Sequence, residues 1–265
     1  MSKIPTLEEM LQAGVHFGHK SSRWHPKMAP HIFGERRGVH IINLEDTQIC
    51  LQAALDFMQG VASRGGVILF VGTKRQARGI IKEQAEACGM PYIIDRWLGG
   101  TFTNFDQLKQ LIKRYNTLRS QQEKGELRKY TKREQLLISR KIKDLERKVG
   151  GIATLEKIPD VVFIVDLHRE KTAYQESQHV GTKVVAICDT NINPSGVDYP
   201  IPANDDAVKS IQMMVKLVSD AVQEGKNHPV AAQQEKNDKP KQKPVLKTPQ
   251  KVADKPAKEK EVEKK

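Results

Sequence analysis

Val67 to Val71 and Val161 to Val165 are apolar at all five positions, and each run is bounded by glycine or aspartate. A strand with one wet face alternates apolar and polar residues, so uninterrupted runs must be covered on both sides. Five residues are too few for a buried helix and suit a buried strand. The flanking pattern agrees: a helix from Lys74 to about Cys88, a strand near Pro91 to Ile94, a helix over 170–179, a strand over 183–187, a short edge strand at Tyr199 to Pro202 and a helix over 205–224. Strands alternating with helices in this way predict a doubly wound parallel α/β sheet. Upstream, Thr6-Leu7-Glu8-Glu9 reads as a capping box opening a helix through Ala13, a hairpin is expected around Gly38, and a helix runs from Asp46 to about Ser63.

Residues 104–150 break this pattern. Leu108, Leu111, Tyr115 and Leu118 step by 3, 4 and 3, and Ile138, Ile142, Leu145 and Val149 by 4, 3 and 4 on the far side of a polar turn at Gly125. That spacing predicts an antiparallel two-helix coiled coil reaching roughly 27 Å from the body. Thr131 to Glu134 forms a second capping box at the start of the returning helix. The chain therefore divides into an α/β body (1–103 and 151–225), a coiled-coil insertion (104–150) and a Lys/Pro-rich tail (226–265). The tail holds five prolines and no aromatic residue, so it is expected to be disordered.

The charge follows the same divisions. Of the formal +12, residues 108–148 contribute +9 and residues 226–265 contribute +6, which leaves the rest at −3. Cationic appendages on a slightly acidic body point to a polyanion partner. No apolar run approaches the roughly 18 residues of a membrane span, and Met1 to Met10 resembles neither a secretory signal nor a transit peptide. Cys50, Cys88 and Cys188 are 38 and 100 residues apart, without the spacing of a zinc ribbon or disulfide framework. The expected home is the reducing cytoplasm.

Four candidate sites stand out. Gly72-Thr73-Lys74-Arg75 follows a buried strand where a helix should open, a setting suited to a phosphate, although it lacks the P-loop order. Lys74 and Arg75 are therefore expected to contact RNA phosphate. Arg96 to Asn104 combines Arg96, Trp97, paired glycines, Thr101, Phe102 and Asn104: Arg96, Thr101 and Asn104 are expected to contact RNA, and Trp97 and Phe102 to anchor a protein partner, to seat the coiled coil at a hinge, or both. On the coiled coil, Lys113, Arg114, Arg133 and Arg140 are expected to meet phosphates. Finally, five of eight histidines fall between His16 and His40, and His19 with Asp189 and Asp205 could hold a zinc ion at the carboxyl edge of the sheet. No nucleophile with an activating partner, GxSxG elbow or GxGxxG fingerprint is present, so no enzyme activity and no required cofactor is expected.

Gly14-Val15-His16-Phe17-Gly18-His19, His40-Ile41-Ile42-Asn43-Leu44, Phe70-Val71-Gly72-Thr73-Lys74, Arg96-Trp97-Leu98-Gly99-Gly100, Pro159-Asp160, Asp189-Thr190-Asn191 and Asn204-Asp205-Asp206 occur in the order seen in one family. Through them the chain, from about Thr6 to Gly225, resembles the bacterial small-subunit ribosomal protein S-two family. The resemblance implies a flavodoxin-like sheet with a protruding coiled coil. It also implies binding to small-subunit ribosomal RNA and neighbouring ribosomal proteins, support of translation, and docking of the OB-repeat ribosomal protein S-one. Two other readings compete: a nucleotide-dependent α/β enzyme using the sheet's switch point at Gly72 to Lys74 and Asp166, and a free-standing RNA-binding regulator.

Overall fold

The computed structural model describes residues 4–229. At its centre five parallel strands, β4 (Ile68–Val71), β5 (Tyr92–Ile93), β6 (Val161–Ile164), β7 (Lys183–Cys188) and β8 (Tyr199–Pro202), lie in the order β5-β4-β6-β7-β8. Numbered along the chain that order is 2-1-3-4-5, the doubly wound arrangement whose switch point falls between the first and third strands. Both five-residue runs occupy the middle: Ile68 to Val71 pair in register with Val161 to Ile164, and all eight residues are buried. Asp160 starts this pairing by accepting the Val67 amide at 2.8 Å.

The two sheet faces are covered differently. On one side Phe70, Phe163, Val185 and Ile187 pack with α2 (Leu44–Ser63), α3 (Arg78–Ala87) and α7 (Val208–Asn227), joined by Met10 from α1 (Leu7–Ala13). On the other, Leu69, Val162, Ile164 and Ala186 pack with α6 (Lys171–Val180) and the root of the helical pair α4 (Phe105–Glu123) and α5 (Lys132–Val149). Gly72 packs closely: a Cβ there would lie 2.3 Å from Ile81 Cδ1 and 3.3 Å from Val165 Cβ, so the tip of Ile81 would have to move aside. Among the described residues no helix is long and apolar enough to cross a membrane.

N-terminal to this body, β1 (Phe17–Lys20), β2 (Ile32–Arg36) and β3 (Val39–Ile42) form an antiparallel sheet ordered β1-β3-β2. The hairpin expected at Gly38 is the β2–β3 turn. Gly18 presses against Thr190 beyond β7, where a Cβ would approach within 2.6 Å, so the small sheet closes tightly over the carboxyl edge of the large one.

Several boundaries differ from expectation for local reasons. Asn43, not Asp46, caps α2 by accepting the Glu45 amide. Residues 75–77 form a turn, so α3 begins at Arg78 instead of Lys74. The Asn204 side chain accepts the amides of Asp206 and Ala207, which delays α7 to Val208. That helix then continues to Asn227, past the expected end of the body, and Lys226 Nζ donates to the carbonyls of Cys88 and Gly89. Residues 230–265 of the predicted tail lie outside the described residues.

In the arm, α4 and α5 share a seam of Leu108, Ile112, Tyr115, Ile142, Leu145 and Val149, closed by Leu127 in the connection. Leu111, Leu118 and Ile138 are only half-buried, so Ile112 takes the inner place expected for Leu111. Both predicted capping boxes form, Thr6 with Glu9 and Thr131 with Glu134.

Candidate functional site

The carboxyl ends of the strands converge on one ammonium group. Lys74 follows β4, Asp166 follows β6, Asp189 follows β7, and Asp205 and Asp206 follow β8. Lys74 Nζ lies 3.3 Å from Asp166 Oδ2, 2.8 Å from Asp205 Oδ1 and 2.6 Å from Asp206 Oδ1. Burial alone would lower the lysine pKa, but these carboxylates outweigh it and raise it. Asp205, almost fully buried, is pushed up to about 7 by burial and by Asp166 and Asp189, against the opposing pull of Lys74.

His19 enters this cluster from β1. Its Nδ1 is 2.9 Å from Asp189 Oδ1 and its Nε2 is 3.5 Å from Asp206 Oδ2. The hydrogen bond to Asp189, with support from Asp205 and Asp206, raises the imidazole pKa against desolvation. The backbone amide of His19 also donates to Thr190 Oγ1 at 2.8 Å.

This geometry corrects the phosphate reading of Gly72 to Arg75. Lys74 is committed to three carboxylates. The Thr73 amide donates to buried Glu170 at 2.9 Å, and no helix opens at Lys74. A phosphate entering the switch point would meet Asp166 and Glu170, whose negative charge opposes it. The nucleotide-enzyme reading loses its site for the same reason. Arg75 alone of this group is exposed. The grouping around His19 also differs from the expected zinc set: among the described residues, His19, Asp205 and Asp206 each bring one potential ligand atom within 4.8 Å of the others. Asp189 instead contacts His19 and accepts the Thr190 amide and hydroxyl.

The segment from Arg96 to Asn104 is organised from below. Glu176 on α6 receives Trp97 Nε1 at 3.1 Å, the Gly100 amide at 2.8 Å and the Phe102 amide at 2.9 Å, with Thr103 N at 3.4 Å. Burial would raise the pKa of this carboxyl, but its four donors hold it below the ordinary glutamate value. Trp97 and Phe102 meet edge to face at 4.9 Å between centroids and are buried with the arm's root. They are core residues that seat the arm, as the hinge reading expected, and their burial speaks against the reading in which they anchor a partner. Thr101 is also buried, its hydroxyl donating to the Leu98 carbonyl, which speaks against the RNA contact expected of it. Arg96 and Asn104 remain at the surface. Glu176 was missed by sequence reasoning, although Ala173, Glu176 and Ser177 share the buried face of α6 at helical spacing.

Lys113, Arg114, Arg133 and Arg140 are all exposed on the arm, and among the described residues none takes part in an ion pair. Asp95 ties the arm to the body, 3.1 Å from Arg78 Nη1 on α3 and 3.3 Å from Arg147 Nε on α5.

The fold is thus a doubly wound domain whose switch point is filled by carboxylates around one lysine, with a helical arm that carries exposed cations. The family model described as "Ribosomal protein S2" matches residues 10–225, and the chain belongs to that family. It is 50% identical over 216 residues to the small ribosomal subunit protein uS2 of Francisella tularensis subsp. novicida (strain U112), covering 82% of this chain and 90% of that relative.

Proposed function

We propose that the chain is a non-enzymatic structural constituent of the small ribosomal subunit, where it fastens ribosomal RNA and neighbouring proteins in support of translation. Family membership supports the subunit role. The observation that carries the RNA role is the arm, whose apolar seam is spent internally while its unpaired cations face outward. On this reading the arm acts as a coiled-coil limb in the cytoplasm, with Lys113, Arg114, Arg133 and Arg140 on phosphates and Arg75, Arg96 and Asn104 near the body. Docking of ribosomal protein S-one would use apolar groups still exposed on the arm, Tyr130, Leu136 and Leu137, in place of the buried Trp97 and Phe102.

Changing Lys113, Arg114, Arg133 and Arg140 together to Gln is expected to flatten the plot of log affinity for small-subunit RNA against log salt. The flattening should reach up to about 0.9 for each phosphate that is no longer neutralised, taking duplex DNA as a guide. An unchanged slope would move the RNA footprint off the arm. Mass spectrometry of subunits depleted of this protein should show loss of S-one as well, and normal S-one occupancy would remove the docking role.

A zinc ion held by His19 and Asp205, with Asp206 or Asp189 supplying further oxygen, is the second proposal. The neutral imidazole and carboxylates suit that ion, whereas Lys74 competes for the same oxygens. Chelator-washed protein incubated with zinc and desalted should retain about one zinc per chain, and less than about 0.2 would reject the site.

A further inference from the structure

The N-terminal sheet has one face against the body and one turned away from it. In β3, His40 and Ile42 are buried whereas Val39 and Ile41 are half-exposed. Register carries this alternation to the neighbours. Phe17 and Gly34 pair with Ile41 from either side, and Lys20 and Arg36 pair with Val39. The register shift between Ile32 and Gly34 brings Phe33 to the level of Ile41 and leaves it 80% exposed, beside Phe17 at 49%. One row of the outward face therefore carries two aromatic rings. The next row, roughly 7 Å along the strands, carries two cations.

A third cation stands at the turn. Arg37 has a φ of 53° and Gly38 a φ of 75°. Asn or Gly is the residue usually found at the first of two such positions, so backbone preference does not account for an arginine there. From Phe17 to Ile41 the chain holds five Lys and Arg residues and one acid, Glu35, which pairs with His40 and so belongs to the opposite face. Exposed rings beside cations suit a polyanion that presents flat apolar faces, and a base in a helix hides those faces by stacking.

We propose that this outward face binds unpaired RNA, with bases stacked on Phe17 and Phe33 and phosphates held by Lys20, Arg36 and Arg37. The proposal rests on the RNA-binding reading above but assigns a second surface and a different form of RNA. The arm's cations grip helical backbone, and the small sheet captures splayed bases.

The test uses the full chain, a labelled uridine-rich single strand of about a dozen nucleotides, and an A-form RNA duplex of similar length. Changing Phe17 and Phe33 together to Ala is expected to weaken single-strand binding by about tenfold or more while leaving duplex binding within about twofold. Phe33→Trp should retain the affinity, and its indole emission should be quenched by the single strand. Changing Lys20, Arg36 and Arg37 to Gln should flatten the single-strand salt slope by up to about 0.7 for each phosphate set free. Unchanged single-strand affinity in the double Ala variant, with its melting temperature intact, would overturn the proposal. So would equal weakening for both RNAs. If the arm variant loses its RNA salt dependence while the double Ala variant behaves as wild type, the arm reading stands and this one fails; the reverse pattern separates them the other way. Subunits assembled with the double Ala variant that lose a neighbouring protein, at unchanged RNA affinity, would assign the face to protein and overturn it.

Discussion

Replacing Glu176 by Ala is expected to lower the stability of the body by about 3–5 kcal/mol, because it removes a buried carboxylate and strands the donors that converge on it. Trp97 Nε1 and the amides of Gly100 and Phe102 have this one carboxylate as their shared acceptor. For a body of this size the melting temperature should fall by about 10 °C. Trp97 reports the change directly: as its indole loses its partner and its packing against Phe102 loosens, its emission should shift to the red. Glu176→Gln retains one carbonyl acceptor but brings an amide donor against donors, so it should fall between wild type and Ala. The pH dependence has a definite sign. A carboxyl held below its unfolded pKa adds stability above that pKa and loses it as pH falls through the folded value. The gap between wild type and Glu176→Ala should therefore be full at neutral pH and narrow below about pH 4. A melting temperature within about 2 °C of wild type would show that water can replace the carboxylate.

Lys74→Met should cost about 3 kcal/mol at neutral pH, since the variant keeps much of the side-chain volume but leaves Asp166, Asp205 and Asp206 without their shared cation. Burial and the neighbouring Asp166 and Asp189 already push Asp205 up to about 7 with Lys74 in place. Without the ammonium its pKa should rise further. A carboxyl whose folded pKa is raised holds a proton that the unfolded chain gives up, so its stabilising contribution is complete below the unfolded value near 4 and drains away as pH rises through the folded value. The deficit of Lys74→Met should thus be largest at pH 8 and shrink toward pH 5. Denaturant titrations at both pH values, with a chelator present so that no divalent ion substitutes for the ammonium, would measure it. An equal deficit at pH 5 and pH 8 would mean that the carboxylates relax into solvent instead of protonating.

These two residues mark the limit of what local pattern reveals. The doubly wound sheet, the helical insertion and both capping boxes were legible because each depends on spacing within one segment: apolar runs, a 3–4 step, Thr three residues before Glu. The exposed arm cations were legible for the same reason, since a narrow apolar seam leaves the other faces of both helices to solvent. Of the two roles open to Trp97 and Phe102, the hinge that seats the arm is the one realised; spacing could not choose between them because residues beside a Gly-Gly pair look alike whether they face a partner or a buried carboxylate 74 to 79 positions away.

From the sequence alone came the strands and helices of the body apart from β1, where the cationic arm leaves the body and which residues cover its outer faces. These follow from backbone periodicity and the cost of burying charge. Only the tertiary structure decided that Lys74 ties strand ends together rather than holding a phosphate, that Glu176 holds the root of the arm, and that β1, β2 and β3 align two rings with a row of cations. Each depends on groups distant in the chain meeting within about 3 Å or at one strand register. Chain crossovers and packing set that proximity, and no local spacing encodes it.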